Sequence, residues 1–289
     1  AKRAAARRAG PGELLSRLPV LRGFPVFREG YKEATDVTDD FLRWLDRHDP
    51  STPFFAFLNY FNAHQAYRAP TPYRERFPGE APQDKYDAAI AFQDDELDRL
   101  LGALAERGML DRTVVVLTSD HGEAFGDHGT VGHGGTLFVE QLHVPLVVVA
   151  PGRAPEGLRV AAPVSLRDAG VTVLDLALDR VPPHGLAGRS LARAWRDSVP
   201  SADTLLAGAH EAVKDTAARH ISAGNATAVV AGQWHYILTG DGQELLYDMV
   251  RDSLELEDLA GRDSLRPVLA SMRAYLRARL DTAWTARLP

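Results

Sequence analysis

The chain has 289 residues, 45% hydrophobic and 25% charged, with a formal net charge of −6 and no cysteine. That length allows one large domain or a large domain with a smaller companion, and the composition is that of an ordinary globular protein. The negative balance argues against a nucleic-acid binder, the absent cysteine excludes disulfide and thiolate chemistry, and no run approaches the roughly 18 apolar residues of a membrane-spanning helix.

The head, AKRAAARRAG, carries four basic residues without the apolar core of a signal peptide, and reads as a solvated arm. Residues 1–34 as a whole form an irregular N-terminal segment. A helix is predicted after Thr35 or Thr38, either of which can cap it. Phe41, Leu42, Trp44 and Leu45 give it an apolar side, and Asp49-Pro50 ends it. PFFAFLNYF (53–61) has the length of a strand buried on both faces. From Asn62 to Lys85, prolines 70, 72, 78 and 82 impose a long loop, of the kind that is functional or disordered in compact domains.

Tyr86, Ile90, Leu97, Leu101 and Leu104 mark one stripe of a long helix that closes at Gly108. TVVVLTSD (113–120) and VPLVVVAPG (144–152) are β-branched strands, with the short helical piece TLFVEQL between them, and SLRDAGVTVLDLAL (165–178) is a further helix. The expected fold class over 35–195 is α/β, a mixed and mostly parallel sheet sandwiched between helices. A seam rich in Pro, Gly, Arg and Ser spans 182–204. Beyond it, ATAVVAG, QWHYILTG, ELLYDM and a helix over about 262–282 compose a small α+β subdomain, 205–289.

Chemistry concentrates in TSDHGEAFGDHGTVGHGG, Thr118 to Gly135, which holds three of the ten histidines and six glycines. Asp120 and His121 stand at the predicted C-terminal end of a strand, where α/β proteins gather ligand sites. A carboxylate beside an imidazole is half of a divalent-metal site, whereas the bland alternative is an Asp that caps a turn. Two donors do not complete a shell, since a bound ion takes at least four. His133, flanked by glycines, has little packing to satisfy, while His128 in GDHG reads as a turn residue. His64 projects just beyond the strand 53–61. Three strand-end histidines converging would suit an anionic, tetrahedral group, with imidazolium donors offsetting charge and one protonating a leaving oxygen.

At these residues a resemblance becomes specific. TSDHGEAFGDHGTVGHGGTLFVEQLHVPLVVVAPG resembles the sulfatase family of the alkaline-phosphatase superfamily. PFFAFLNYFNAHQAY, YDAAIAFQDDELDRLLGALAERGMLDRTVVVLTSD, PVSLRDAGVTVLDLAL and QWHYILTGDGQELLYDMVRDSLELEDLA are similar to further family blocks in the same order, from about Asp36 to Leu280. The resemblance implies an alkaline-phosphatase-like fold and hydrolysis of a sulfate ester on a sulfated small molecule or glycan. It implies Asp120 and His121 as ligands of one divalent ion, calcium in the family, and His64 and His133 as contacts of the sulfate or its leaving oxygen.

Departures from the family pattern accompany it. Asn62, Ala63 and Ala66 stand where members usually carry Asp, Pro and Pro, and Gly135 falls where many have a substrate-contacting Lys. The paired aspartates and the Cys/Ser-x-Pro-Ser-Arg motif, whose first residue becomes the formylglycine nucleophile, have no counterpart. The chain therefore reads as the C-terminal portion of a sulfatase-like enzyme, with the nucleophile expected upstream. Compartment stays open, an extracytoplasmic or membrane-anchored placement depending on that upstream part. Two rival readings are a single-metal phosphoesterase or phospho-head-group transferase of the same superfamily and a non-catalytic binding module. A two-metal phosphodiesterase is disfavoured, because the residue four before His64 is Tyr60 rather than Asp.

Overall fold

A computed structural model describes residues 32–178, 186–197, 203–209 and 225–280. The predicted N-terminal segment up to residue 31 and residues 182–185 and 198–202 of the seam lie outside the described residues. Helix α1 (Ala34–Leu45) starts one turn before Thr38 and ahead of both threonines predicted to cap it. Asp36 instead takes the Glu33 N–H at 3.2 Å, and Thr38 turns its hydroxyl back to the Ala34 carbonyl and to Tyr60.

The proline-rich loop is broken by one short helix, α2 (Thr71–Arg76), with Pro72 in its first turn, where a missing N–H is harmless. Helix α3 (Pro82–Glu106) runs 25 residues and stops before Gly108, as predicted. Its buried face is not the expected stripe: Ala88, Ala89, Phe92, Glu96, Leu100 and Leu104 turn inward while Ile90 is exposed. Glu96 can sit there because Thr35 and Arg99 satisfy it, the latter also pairing with Asp39 of α1.

Residues 53–61 are extended but pair with no strand among the described residues. Phe54, Ala56 and Leu58 pack on Phe41, Leu45, Leu100, Leu104 and Met109, whereas Phe55 and Phe57 face outward, exposed. Among the described residues the expected two-sided burial is one-sided, with the α1–α3 layer covering this segment.

Strands β1 (Val115–Thr118) and β4 (Leu146–Val149) pair antiparallel, Thr118 opposite Leu146. Where a mixed and mostly parallel sheet was expected, this pair and every other ladder among the described residues are antiparallel. The intervening chain is spent on a loop that returns to the same end of β1, with no crossover helix to carry it back across the sheet. That loop contains the two-residue ladder of β2 (Ala124–Phe125) with β3 (Val131–Gly132) and the short helix α4 (Val139–Leu142). Helix α5 (Arg167–Leu178) and the single turn α6 (Arg193–Arg196) cover one face of β1–β4 through Leu176, Ala192 and Trp195 against Val114 and Val148.

The last part is a four-stranded antiparallel meander, β5 (Thr204–Ala209), β6 (Ala226–Ala231), β7 (Trp234–Leu238) and β8 (Glu244–Asp248), followed by helix α7 (Arg266–Arg277). β5 was not foreseen in the sequence. Alternation sends Val229, Tyr236, Leu238 and Leu246 onto Leu269, Met272 and Leu276 of α7. Ala228, Ile237, Leu245 and Tyr247 point the other way, onto Leu137 and Phe138 just before α4. The meander is thus the floor on which the histidine loop rests. No described helix is long and apolar enough to cross a membrane.

Candidate active site

The loop leaves β1 at Ser119, whose hydroxyl donates to the His121 carbonyl at 2.7 Å. Asp120 Oδ1 accepts the His121 N–H at 3.1 Å, so the carboxylate is held at its root while its side chain is 88% exposed. His121 Nδ1 lies 2.8 Å from the Gly122 carbonyl, which can only accept. That bond fixes the proton on Nδ1 and leaves a lone pair on Nε2, 3.7 Å from Asp120 Oδ2. A carboxylate oxygen and an unprotonated imidazole nitrogen side by side form a donor pair suited to a divalent cation. Among the described residues no group of three acidic, His or Cys side chains could hold an ion, so the pair is a part-shell.

Gly122 is obligatory for this geometry. An added Cβ would stand 2.1 Å from the Glu140 carbonyl of α4, and the Gly122 N–H donates to the Gln141 carbonyl at 2.9 Å. The backbone after His121 is therefore clamped directly onto α4.

The structure brings the other two predicted histidines to the same place. The His133 ring stacks on His121 with centroids 4.1 Å apart, and His64 meets His133 edge-on at 5.3 Å. His64 is in turn stacked on Phe61 at 4.3 Å. Its turn is built by Asn62, fully buried, whose amide oxygen accepts the Ala34 N–H at 2.7 Å and whose NH2 donates to the Arg68 carbonyl at 2.9 Å. An Asp, usual in the family pattern, could accept but not donate there.

His128 does not join them. In a left-handed conformation (φ 50°), it stacks on Phe138 and donates from Nε2 to the Glu255 carbonyl at 2.9 Å and from Nδ1 to Glu140 at 3.2 Å. Burial alone would lower its pKa, but these bonds to Glu255 and Glu140 outweigh it and raise the value above that of an ordinary imidazole. This is the turn role expected of it. The carbonyl belongs to a residue whose own carboxylate, buried, accepts the Val139 N–H at 2.9 Å and binds His235.

Two residues beside the site were missed. Glu123, its side chain only 4% exposed, accepts from His133 Nδ1 at 3.0 Å and from the Tyr67 hydroxyl at 3.1 Å. Glu123 is visible in the sequence as the residue after Asp-His-Gly, but nothing local signals a partner 56 residues away. Burial, and then the Glu123 charge, push the Tyr67 phenol well above its ordinary value, so it remains a donor.

Fold and site together define an α/β protein of the alkaline-phosphatase-like class, with strand-end imidazoles gathered beside an acid–imidazole pair. Solved structures agree on that fold. A phosphonate monoester hydrolase of Agrobacterium radiobacter superposes with a TM-score of 0.68 at 25% identity, over 84% of this chain and 62% of that one. BT4656, solved with its substrate D-glucosamine-2-N,6-O-disulfate, gives 0.59 at 22% identity, over 68% and 40%.

The Sulfatase family model matches residues 10–179, more than half of the sequence, and the chain belongs to the sulfatase family. It is 34% identical to arylsulfatase K of Danio rerio over 183 residues, 61% of this chain and 33% of that protein. It is 33% identical to a choline-sulfatase of Rhizobium meliloti over 180 residues, 61% and 32%. The aligned region thus spans about a third of the length of these relatives. The family generally uses a divalent metal.

Proposed function

We propose that this chain carries the metal-binding and leaving-group side of a sulfuric-ester hydrolase site, acting on a sulfated small molecule or glycan. The observation that supports the reading most strongly is the cluster of His64, His133 and His121, the last beside Asp120, within a sulfatase-family sequence. Asp120 and His121 Nε2 are the donors that would hold a divalent ion, calcium by family resemblance. Such an ion, when bound, supplies positive charge against the oxygens of the sulfate. In this reading His64 and His133 act as hydrogen-bond donors to the ester, with His133 protonating the leaving oxygen. No cysteine and no Ser-x-Pro-x-Arg sequence occurs in the 289 residues. In this reading the nucleophile, a formylglycine, belongs to polypeptide outside them.

The direct test replaces Asp120 and His121 together by Ala in the full-length protein and follows an aryl sulfate. Loss of turnover by about 100-fold or more is expected, as for removal of a principal charge-stabilising group, together with loss of calcium binding by calorimetry. Retention of full activity would defeat the assignment.

A phosphorus-ester reading is favoured by one observation, the 25% identity to a phosphonate monoester hydrolase. The ratio of kcat/KM for an aryl sulfate over an aryl phosphonate, measured on one preparation, separates the two. A ratio above one supports the sulfate ester as substrate.

A further inference from the structure

We infer that Glu123, supported by Tyr67, is the positioning residue that fixes the orientation and tautomer of His133. The inference rests on the reading of His133 as the group that protonates the leaving oxygen.

The geometry carries it. A carboxylate can only accept, so the 3.0 Å contact requires a proton on His133 Nδ1 and leaves Nε2 as the ring nitrogen available to a bound ester. The second carboxylate oxygen takes the Tyr67 hydroxyl at 3.1 Å. Among the described residues neither oxygen is paired with Lys or Arg, and this nearly buried carboxylate takes those two donors. Tyr67 is itself fixed edge-on to Tyr86 at 5.6 Å and against Phe125 at 5.8 Å.

The backbone is constrained as well. Gly132 and Gly134, both at φ 85°, flank His133 in a conformation that disfavours any side chain. Gln141 brackets them, accepting the Gly134 N–H at 3.0 Å and donating to the Gly132 carbonyl at 3.4 Å. Ring and backbone are thus set independently, and Nδ1 is the ring nitrogen committed to Glu123. After His133 gives its Nε2 proton to the departing oxygen, the ring that remains carries its proton on Nδ1. That is the tautomer Glu123 holds.

The experiment is made on the full-length protein with a series of aryl sulfates of rising leaving-group pKa. Glu123→Ala should lower kcat by about 10- to 100-fold with KM little changed, as for removal of a group that orients another. The deficit should widen for the poorer leaving groups. Glu123→Gln, whose amide oxygen still accepts from Nδ1, should recover most of the loss, and it covers the case in which the alanine variant does not fold. A uniform deficit across the series, or a glutamine variant no better than alanine, overturns the proposal.

A second readout needs no turnover. Ring 15N–1H correlation spectra should show His133 protonated on Nδ1 in the wild type and redistributed between nitrogens in Glu123→Ala. A tautomer unchanged by that substitution overturns the positioning role. If the wild type cleaves no aryl sulfate the hydrolase reading fails, and if His133→Ala cleaves as well as wild type the leaving-group role of His133 fails; in both cases the spectra still decide the role of Glu123.

Discussion

Gly122 shows how much of the site depends on the absence of a side chain. Its Cα faces the Glu140 carbonyl so closely that a Cβ would lie 2.1 Å from the oxygen, and that oxygen belongs to backbone and not to a flexible tip. Gly122→Ala must therefore separate the His121 backbone from α4 and stretch the 2.9 Å bond to the Gln141 carbonyl. Overpacking of this kind typically destabilises by about 1–3 kcal/mol, and urea unfolding should show a lowered midpoint of that size. A variant as stable as the wild type would mean that α4 is not fixed against the loop. Asn62 makes a related point: an amide suits this position because one side chain both accepts the Ala34 N–H and donates to the Arg68 carbonyl.

At the scale of elements, the histidine loop and the strand-rich C-terminal part are joined through charge. His128 donates from both ring nitrogens to groups that only accept, so the folded state favours its protonated form, and its pKa is raised despite the opposing effect of burial. The sign follows: a group whose folded pKa lies above its unfolded value stabilises fully below the ordinary imidazole pKa of about 6.5 and loses that contribution as pH rises through the folded value. Unfolding midpoints should therefore fall as pH is raised from about 6.5, and His128→Gln should flatten the profile; an unchanged profile would exclude the linkage. What the sequence disclosed of these elements follows a physical division. β1, β4, α5 and the last three strands are legible because runs of β-branched or periodic residues act locally. The face of α3 was misread because two alanines and a glutamate turn inward while Ile90 does not, a choice made by α1 and its Thr35. Asp120, His121, His64 and His133 were legible as candidates from residue type and strand-end position. Glu123 and Tyr67 were not, since a hydrogen bond across 56 residues leaves no periodic trace.

For the molecule as a whole, the meander supports the site through one of its two faces only. Ile237 and Leu245 meet Leu137 and Phe138 beneath the histidine loop, whereas Leu246 and Tyr236 meet Leu269, Met272 and Leu276 of α7. Ile237 and Leu246 are both fully buried and lie on neighbouring strands, so truncating either to Ala should destabilise by a similar amount, about 2–5 kcal/mol. Their effects on the site should differ, because a cavity relaxes first onto the side chains that line it. Hydrogen exchange followed by mass spectrometry gives the contrast. Ile237→Ala should speed exchange in 119–142 along with the strands, while Leu246→Ala should speed exchange in α7 and leave the histidine loop as protected as in the wild type. Equal loosening of the loop by both variants would mean that the sheet transmits strain through its full thickness, and the loop would then depend on α7 as much as on the face it touches.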